Sequence, residues 1–295
     1  MKKYLTIAFL FVAAQLVAQS FSEKIVRDFT FEKKSADNAL MIANINGNIS
    51  VQGYEGDKIM VEVTKTINAK TQARLEKGKT DIQLGVIDLA DSLILYVSGE
   101  CGNFTKQTSR NGHHNRRYWG YSWNNGCQDC HQEYSYKMDF TVKIPNGVNL
   151  TVSTVNDGDV QVENVNGVVI ANNVNGSIRM KNLVRGTEAS TINGDVDIEY
   201  AKNPPQDCRF YTLNGDINAW FQKGLAADLS FESFNGSFYT NIDKLESMPV
   251  TVEKKESNKG MKYKVNDNRF KVGAGGALLD FETFNGNVYL KEKTN

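Results

Sequence analysis

Residues 174–178 read Val-Asn-Gly-Ser-Ile, and the same pattern returns at 192–196 as Ile-Asn-Gly-Asp-Val and at 213–217 as Leu-Asn-Gly-Asp-Ile. Each copy places an apolar residue before Asn-Gly, then a small polar residue, then a second apolar residue. The pattern recurs along the chain, so it is an internal repeat. Its turn residues, including looser copies around 158 and 167, are Asn46, Gly47, Gly158, Gly167, Asn175, Gly176, Asn193, Gly194, Asn214, Gly215, Asn235, Gly236, Asn285 and Gly286.

Apolar and polar side chains alternate after each turn, as in Val160-Gln161-Val162 and Val196-Asp197-Ile198. A period of two is typical of β-strands that bury one face. The glycines at 158, 167 and 176 are nine residues apart, and those at 194, 215 and 236 are twenty-one apart. Both spacings fit one or two short strands per repeat. The pattern therefore predicts an all-β fold in which turns and strands alternate.

Two all-β architectures use such turns. Asn-Gly favours the type I′ turn of a hairpin, which would give an antiparallel meander. It also suits a β-solenoid of the parallel β-helix or β-roll kind, in which equivalent turns stack and Asn side chains bond along the stack. We favour the solenoid because a polar residue also precedes the apolar position, which a hairpin does not require: Thr154, Asn164, Asn173, Thr191, Thr212 and Thr283.

The repeat is strongest over residues 136–295, which we assign to the β-solenoid. Residues 21–98 begin in the same style but are less regular, and we expect an N-terminal β region or cap with a short helix within 68–79. Residues 99–135 form a polar insert. A second polar stretch at 253–268 is predicted to be a loop or an extra hairpin.

The first 20 residues have the features of a secretory signal peptide. Two lysines precede an apolar run from Leu5 to Val17, and small residues follow it. The run is shorter than the roughly 20 residues that a membrane-spanning helix needs, and no comparable run recurs. We therefore expect an exported protein, periplasmic or at the cell surface, without a membrane span and with a mature start near Phe21.

The charge balance does not indicate a nucleic-acid partner. Lysine plus arginine and aspartate plus glutamate each number 34, and removing the signal peptide with its two lysines leaves 32 basic against 34 acidic residues. Domains that bind nucleic acid usually carry a basic excess or patch. We expect no nucleic-acid binding, and the oligomeric state stays open.

The turn motifs resemble those of the bacterial putative adhesin family. The matching segments are Ser-Thr-Val-Asn-Asp-Gly-Asp-Val at 153–160, Ala-Asn-Asn-Val-Asn-Gly-Ser-Ile at 171–178 and Phe-Glu-Thr-Phe-Asn-Gly-Asn-Val at 281–288. The similarity is strongest from about Thr141 to the C-terminus. The resemblance implies an exported β-solenoid-like protein of the envelope or cell surface, and it supplies no catalytic residues.

The cysteines are Cys101, Cys127, Cys130 and Cys208. Disulfides persist in exported proteins, so we favour disulfide bonds with the connectivity left open.

The insert also contains two motifs that would bind a cofactor. The segment Cys127-Gln128-Asp129-Cys130-His131 has the spacing of a c-type haem attachment site, for which His113 or His114 would supply the opposite ligand. The same cysteines with His113, His114 or His131 would suit zinc. An oxidising compartment favours the disulfide interpretation over both, so we expect no cofactor.

An aromatic and basic run in the insert is the predicted contact surface for a protein or glycan partner. Exposed Trp and Tyr rings stack on sugars or anchor proteins, and Arg is common at interfaces. The alternative is that these rings fold back over neighbouring strands. The residues concerned are Arg116, Arg117, Tyr118, Trp119, Tyr121 and Trp123.

Acids flank several turns, at Asp157, Asp159, Asp195 and Asp216. Calcium in β-rolls needs several carboxylates per coil, and this chain offers about one, so turn stabilisation is the favoured role. No nucleophile elbow, phosphate loop or metalloprotease helix is present in the sequence. We therefore predict a non-enzymatic envelope or surface protein with an adhesin-like binding or structural role. The alternatives are a metal or haem protein and a carbohydrate-active enzyme on a β-helix scaffold.

Overall fold

Alternating side chains form strands with one buried face. In the strand Ile59–Ala69 every second residue is buried, beginning with Ile59, Val61 and Val63. The computed structural model describes residues 19–99, 103–106, 119, 121–124, 132–257, 260–266 and 268–293. Strands make up 62% of the structure and helix 4%, so the all-β prediction is confirmed.

The elements are numbered in chain order. The first part of the chain forms β1 (Gln19–Phe29), β2 (Ala39–Ala43), β3 (Ile49–Tyr54), β4 (Ile59–Ala69), α1 (Gln72–Asp81), β5 (Gln83–Asp88), β6 (Ser92–Ser98), β7 (Asn103–Lys106), β8 (Tyr121–Asn124) and β9 (Tyr134–Pro145). The repeats form β10 (Asn149–Ser153), β11 (Val160–Glu163), β12 (Val169–Asn172), β13 (Ile178–Leu183), β14 (Thr187–Asn193), β15 (Val196–Tyr200), β16 (Cys208–Asn214) and β17 (Ile217–Phe221). The last part forms β18 (Ala227–Asn235), β19 (Phe238–Thr240), β20 (Leu245–Ser247), β21 (Thr251–Ser257), β22 (Gly260–Asn266), β23 (Arg269–Val272), β24 (Ala277–Asn285) and β25 (Val288–Glu292).

Two large, mostly parallel sheets enclose the core. The ten-stranded sheet, which we call sheet one, has the order β1-β4-β9-β3-β11-β13-β15-β17-β25-β19. The eleven-stranded sheet, sheet two, has the order β20-β23-β18-β24-β16-β14-β12-β10-β2-β6-β5. One continuous cluster of buried apolar side chains, from Leu40 to Leu290, fills the space that both sheets line.

The repeats alternate between the two sheets. We call a strand of sheet two together with the sheet-one strand that follows it a coil, and the turn between them a corner. Strand β12 pairs in parallel with β10 and β14, and β13 pairs in parallel with β11 and β15. An antiparallel meander would instead pair consecutive strands, so these coils are stacked rather than folded as hairpins.

Hydrogen bonds continue from coil to coil through the corners. The Gly176 N–H donates to the Asn193 carbonyl at 2.9 Å, and the Gly194 N–H donates to the Asn214 carbonyl at 3.0 Å. Gly167 lies elsewhere, against the Val148 carbonyl at the turn between β11 and β12. The nine-residue glycine spacing therefore reflects two successive turns of one coil.

Asparagine side chains form a ladder along the corners. Asn193 Nδ2 donates to Asn175 Oδ1 at 2.8 Å, and Asn214 Nδ2 donates to Asn193 Oδ1 at 2.9 Å. The ladder continues through Asn285 and Asn235 with bonds of 2.8 and 2.9 Å. Each of these side-chain amides donates a hydrogen bond to the amide oxygen on the neighbouring coil, which favours in-register stacking of the coils.

A second ladder uses the polar residue two positions before each corner Asn. Thr191 Oγ1 donates to the Gly176 carbonyl at 2.9 Å, and Thr212 Oγ1 donates to the Gly194 carbonyl at 2.8 Å. Asn173 makes the equivalent bond to the Gly158 carbonyl at 3.0 Å. These buried side chains explain why a polar residue is repeated at this position in the sequence.

The last two coils do not follow chain order. Strand β24 lies between β16 and β18, and β25 lies between β17 and β19. The Gly215 N–H accordingly donates to the Asn285 carbonyl at 3.0 Å, and the Gly286 N–H donates to the Asn235 carbonyl at 3.1 Å. The C-terminal coil is therefore inserted between the two coils that precede it in the sequence.

The N-terminal region joins the same sheets. Strands β2 and β3 form a coil that pairs in parallel with β10 and β11. Antiparallel strands β1 and β4 extend sheet one, and β5 extends sheet two. The helix predicted within 68–79 is present as α1, and the buried Lys65 Nζ donates to the Lys79 and Ile82 carbonyls at 3.1 and 3.0 Å. This ammonium group satisfies carbonyls at and just after the end of α1.

The polar insert replaces a corner. Strand β6 pairs in parallel with β2, and β9 pairs in parallel with β3, so β6 and β9 occupy the positions of a coil. Where other coils have Asn-Gly, this one has residues 99–133, including the β7–β8 hairpin. The stretch predicted as a loop or hairpin at 253–268 contains the antiparallel pair β21–β22. Among the described residues, no helix has the length and apolarity needed to span a membrane.

Candidate functional site

Most of the predicted site residues of the insert lie outside the described ranges. They are Cys101, Cys127, Cys130, His113, His114, His131, Arg116, Arg117 and Tyr118. The disulfide, haem and zinc hypotheses for these residues therefore stay predictions.

The three remaining residues of the predicted contact surface pack on sheet two. Phe104 on β7 is buried, and its ring centroid lies 4.7 Å from that of Trp123 and 5.7 Å from that of Tyr121. Trp123 Nε1 donates to the Val97 carbonyl at 3.3 Å. With Trp119, these rings cover the outward-facing side chains of Met41, Ala43 and Ile94. Trp119, Tyr121 and Trp123 thus contribute packing, and their role in partner binding stays a prediction.

Cys208 is a free, buried thiol. Its Sγ lies 3.2 Å from Tyr200 Oη. Burial raises the pKa of the Cys208 thiol, and burial together with the adjacent thiol raises the pKa of Tyr200 well above its usual value. The Cys208 side chain points into the core. A disulfide to Cys208, one of the options left open by the sequence, stays a prediction, because the other three cysteines lie outside the described residues.

The corner acids bind the backbone of the next coil. Asp159 Oδ1 accepts the Ser177 N–H at 2.9 Å, and Asp195 Oδ1 accepts the Asp216 N–H at 2.9 Å. Asp216 Oδ1 accepts the Asn287 N–H at 2.7 Å. No group of three or more His, Cys, Asp or Glu side chains is placed to hold a metal in the described part of the chain. These contacts are those of turn-stabilising acids.

Two stacked pairs of aromatic rings flank the corners of the last two coils, and we call these four residues the aromatic corner. Phe234 and Phe284 lie before the corners with ring centroids 4.8 Å apart and an interplanar angle of 4°. Tyr239 and Tyr289 lie after them, 5.1 Å apart at 12°. Phe234 is 74% exposed, Tyr239 51% and Phe284 44%. Such exposure of large rings is unusual, so the aromatic corner is a candidate interaction surface.

Charged and aromatic groups extend this surface across sheet one. Lys291 Nζ lies 5.4 Å from the Tyr289 ring centroid and 5.8 Å from that of Trp220. Both rings belong to strands that pair with each other, β25 and β17. The aromatic corner therefore adjoins a polar surface with a fixed cation, a combination suited to ligands that are part apolar and part polar.

The sequence contained a signal for the aromatic corner that its repeat pattern concealed. The residue before Asn-Gly is Val, Ile or Leu in the copies at 45, 174, 192 and 213, but Phe at 234 and 284. Read as part of the repeat, these phenylalanines look like ordinary apolar positions. These two copies are consecutive in the sequence, and their strands β18 and β24 are neighbours in sheet two.

No protein-family model matches the chain, and no curated protein matches it. Among solved structures, it is similar to a putative cell adhesion protein from Clostridium sporogenes, with 11% identity, a TM-score of 0.39, and coverage of 92% of this chain and 100% of the other. A putative adhesin from Bacteroides fragilis has 12% identity, a TM-score of 0.34 and coverage of 92% and 97%. A putative adhesin from Parabacteroides distasonis has 10% identity, a TM-score of 0.25 and the same coverage.

All three similar structures are named as adhesins or as a cell adhesion protein. At these identities and TM-scores the similarity does not assign a binding partner or an activity to this chain. Function has to be argued from the residues themselves.

Proposed function

We propose that the protein is an exported, non-enzymatic protein of the cell envelope or cell surface that binds glycan chains in an adhesin-like manner. Export is supported by the signal-peptide features of residues 1–20, of which 1–18 lie outside the described residues. The mature chain acts in the periplasm or on the cell surface. The aromatic corner is its contact surface.

The scaffold in this proposal is a β-solenoid. Parallel in-register pairing of the coils and the Asn ladder support it. Strands β1, β4 and β5 and helix α1 cover one end of the stack and serve as its cap, as solenoids require at their terminal repeats. A rigid, elongated stack would hold the aromatic corner at the end opposite this cap.

The observation that carries the proposal is the exposure of two parallel ring pairs on adjacent coils. Sugars present flat faces of C–H groups that stack on aromatic rings, and their hydroxyls bond to polar neighbours. The two ring centroids are 4.8 Å apart in the Phe pair and 5.1 Å apart in the Tyr pair, so each pair presents two adjoining rings rather than one isolated ring. A non-enzymatic role is supported by the corner acids, which accept backbone N–H bonds in place of taking up a catalytic geometry.

The aromatic corner is tested with the double variant Phe234→Ala/Tyr239→Ala. We expect binding to the recognised oligosaccharide on a glycan array to weaken at least tenfold, because one exposed ring is removed from each pair. Thermal stability should change little, since neither ring is buried.

The matched control is Leu89→Ala, which removes an apolar side chain that is 45% exposed next to the opposite edge of sheet two. It should bind as the unmodified protein does. Unchanged binding of the double variant, or no glycan binding by the unmodified protein, would contradict the proposed function.

A further inference from the structure

A groove of about 500 Å³ lies on the outer face of sheet two. It crosses β12, β14 and β16. Three of its side chains directly precede a corner Asn: Val174, Ile192 and Leu213. Three others lie further from the corners, at Asn172, Glu188 and Tyr211. The groove is distinct from the insert, whose hairpin covers the outer face over β2 and β6.

Asn172 lines one end of the groove, and its Nδ2 is buried without a hydrogen-bond partner among the described residues, in a side chain that is 8% exposed. Ser153 Oγ, in a side chain that is 4% exposed and does not line the groove, also lacks a partner among these residues. Ser153 and Asn172 face each other across β10 and β12. Folded proteins rarely leave a buried amide N–H without an acceptor, so such a group usually indicates a missing ligand or water.

The corner asparagines show that the unpaired amide is exceptional here. The neighbouring Asn173 donates its amide to the Gly158 carbonyl at 3.0 Å, and Asn175 donates to Asn156 Oδ1 at 2.9 Å. Asn172 lies on the outer face, because Ala171 before it points into the core. Its side chain therefore lines the groove rather than the next corner.

The charges around the groove disfavour an anionic ligand. The Arg209 guanidinium bonds Glu282 at 2.9 Å and lies 3.8 Å from Asp280. Glu188 is the register neighbour of Arg209 on β14. Three carboxylates therefore lie near the Arg209 guanidinium, which already forms an ion pair with Glu282. A neutral ligand with hydroxyl groups can donate to the carboxylates without a charge penalty.

An apolar ridge connects the groove to the aromatic corner. Val174, Ile192 and Leu213 occupy the position before Asn-Gly on successive coils, and Phe284 and Phe234 occupy it on the next two. The register Asn193–Asn214–Asn285 keeps these positions aligned. One extended ligand can therefore contact both surfaces along the same ridge.

From these observations we infer that the groove is a subsite for a neutral sugar unit of the glycan that contacts the aromatic corner. This inference rests on the proposed function. A sugar hydroxyl accepts the free Asn172 N–H, and a further hydroxyl donates to the Glu188 carboxylate. The C–H face of the sugar packs against Ile192 and Leu213.

The test uses Asn172→Leu in the full mature protein. Affinity for neutral oligosaccharides, measured by calorimetry with hexose and N-acetylhexosamine chains, should fall about tenfold because one buried hydrogen bond is lost. The thermal midpoint should stay the same or rise, because an unpaired buried amide is replaced by an apolar group of similar size. A residue that only supports the fold would show the opposite pattern.

The matched control is Asn149→Leu at the start of β10, away from the corners, where Asn149 Nδ2 donates to the Ala36 carbonyl at 3.0 Å. It should keep full affinity. Unchanged affinity in Asn172→Leu would overturn the subsite while leaving the aromatic corner and the proposed function in place. A lowered midpoint in Asn172→Leu, or binding of uronate-containing chains in preference to neutral ones, would also overturn it. Loss of all glycan binding in the unmodified protein would overturn both.

Discussion

Gly215→Ala should lower the free energy of unfolding by about 3 kcal/mol, or prevent folding, because the corners approach too closely for a side chain. A Cβ at position 215 would overlap the backbone carbonyl of Gly194 on the neighbouring coil. Relief would require the two corners to separate, which would lengthen the bond from the Gly194 N–H to the Asn214 carbonyl. Urea denaturation followed by circular dichroism measures the change.

Gly147→Ala is the control for this prediction. Gly147 lies in the turn after β9, and no heavy atom approaches within 4 Å of the Cβ that alanine would add. The substitution should change the free energy of unfolding by about 0.5 kcal/mol or less. Equal effects at 147 and 215 would show that the corners are not in contact.

Phe210→Ala should cost about 4 kcal/mol, because it empties a fully buried site between two coils. The Phe210 side chain is 0% exposed, and its ring centroid lies 5.1 Å from that of Phe281 on the inserted C-terminal coil. The side chains around the cavity belong to coils that the corner hydrogen bonds hold in register, so the cavity could collapse only in part. Thermal and urea unfolding both report the loss.

The aromatic corner supplies the comparison for this core substitution. Phe234→Ala removes the same ring from a site that is 74% exposed, and should cost less than about 1 kcal/mol. A cost at Phe234 equal to that at Phe210 would contradict the assignment of Phe234 to a binding surface and Phe210 to the core.

The local chemistry of the corners could be predicted from the sequence, because each corner is encoded in a few consecutive residues. Asn-Gly, the preceding polar residue and the alternating strand form the same contacts in every well-formed copy. The polar position at 191 and 212, for example, bonds the preceding corner as its repetition indicates. Such residues are selected by the local backbone conformation and hydrogen bonds of the turn, which do not depend on distant parts of the chain.

The order of the coils could not be predicted, because equivalent corners are interchangeable. The copies at 235 and 285 both present Asn-Gly, so either could follow the corner at 214. Pairing between 214 and 285 depends on the long connection through β20 to β23 and on contacts such as Phe210 with Phe281. The sequence also did not reveal that the insert takes the place of a corner between β6 and β9.

The candidate sites could be predicted only in part from the sequence. Trp119, Tyr121 and Trp123 were identified as notable, but only the structure shows that they pack on Met41 and Ala43. Asn172 looked like one more asparagine beside a turn. Its unpaired amide becomes apparent only when the partners of all the other corner asparagines are known.

The stacking of corners, with the C-terminal coil inserted, is tested most directly by NMR scalar couplings across hydrogen bonds. We expect a coupling between the Gly215 amide nitrogen and the Asn285 carbonyl carbon, and another between Gly286 and Asn235, whose N–H to O bonds are 3.0 and 3.1 Å long. A coupling from Gly215 to Asn235 would show that the coils stack in chain order. The absence of any coupling between corner residues would contradict the stacked architecture itself.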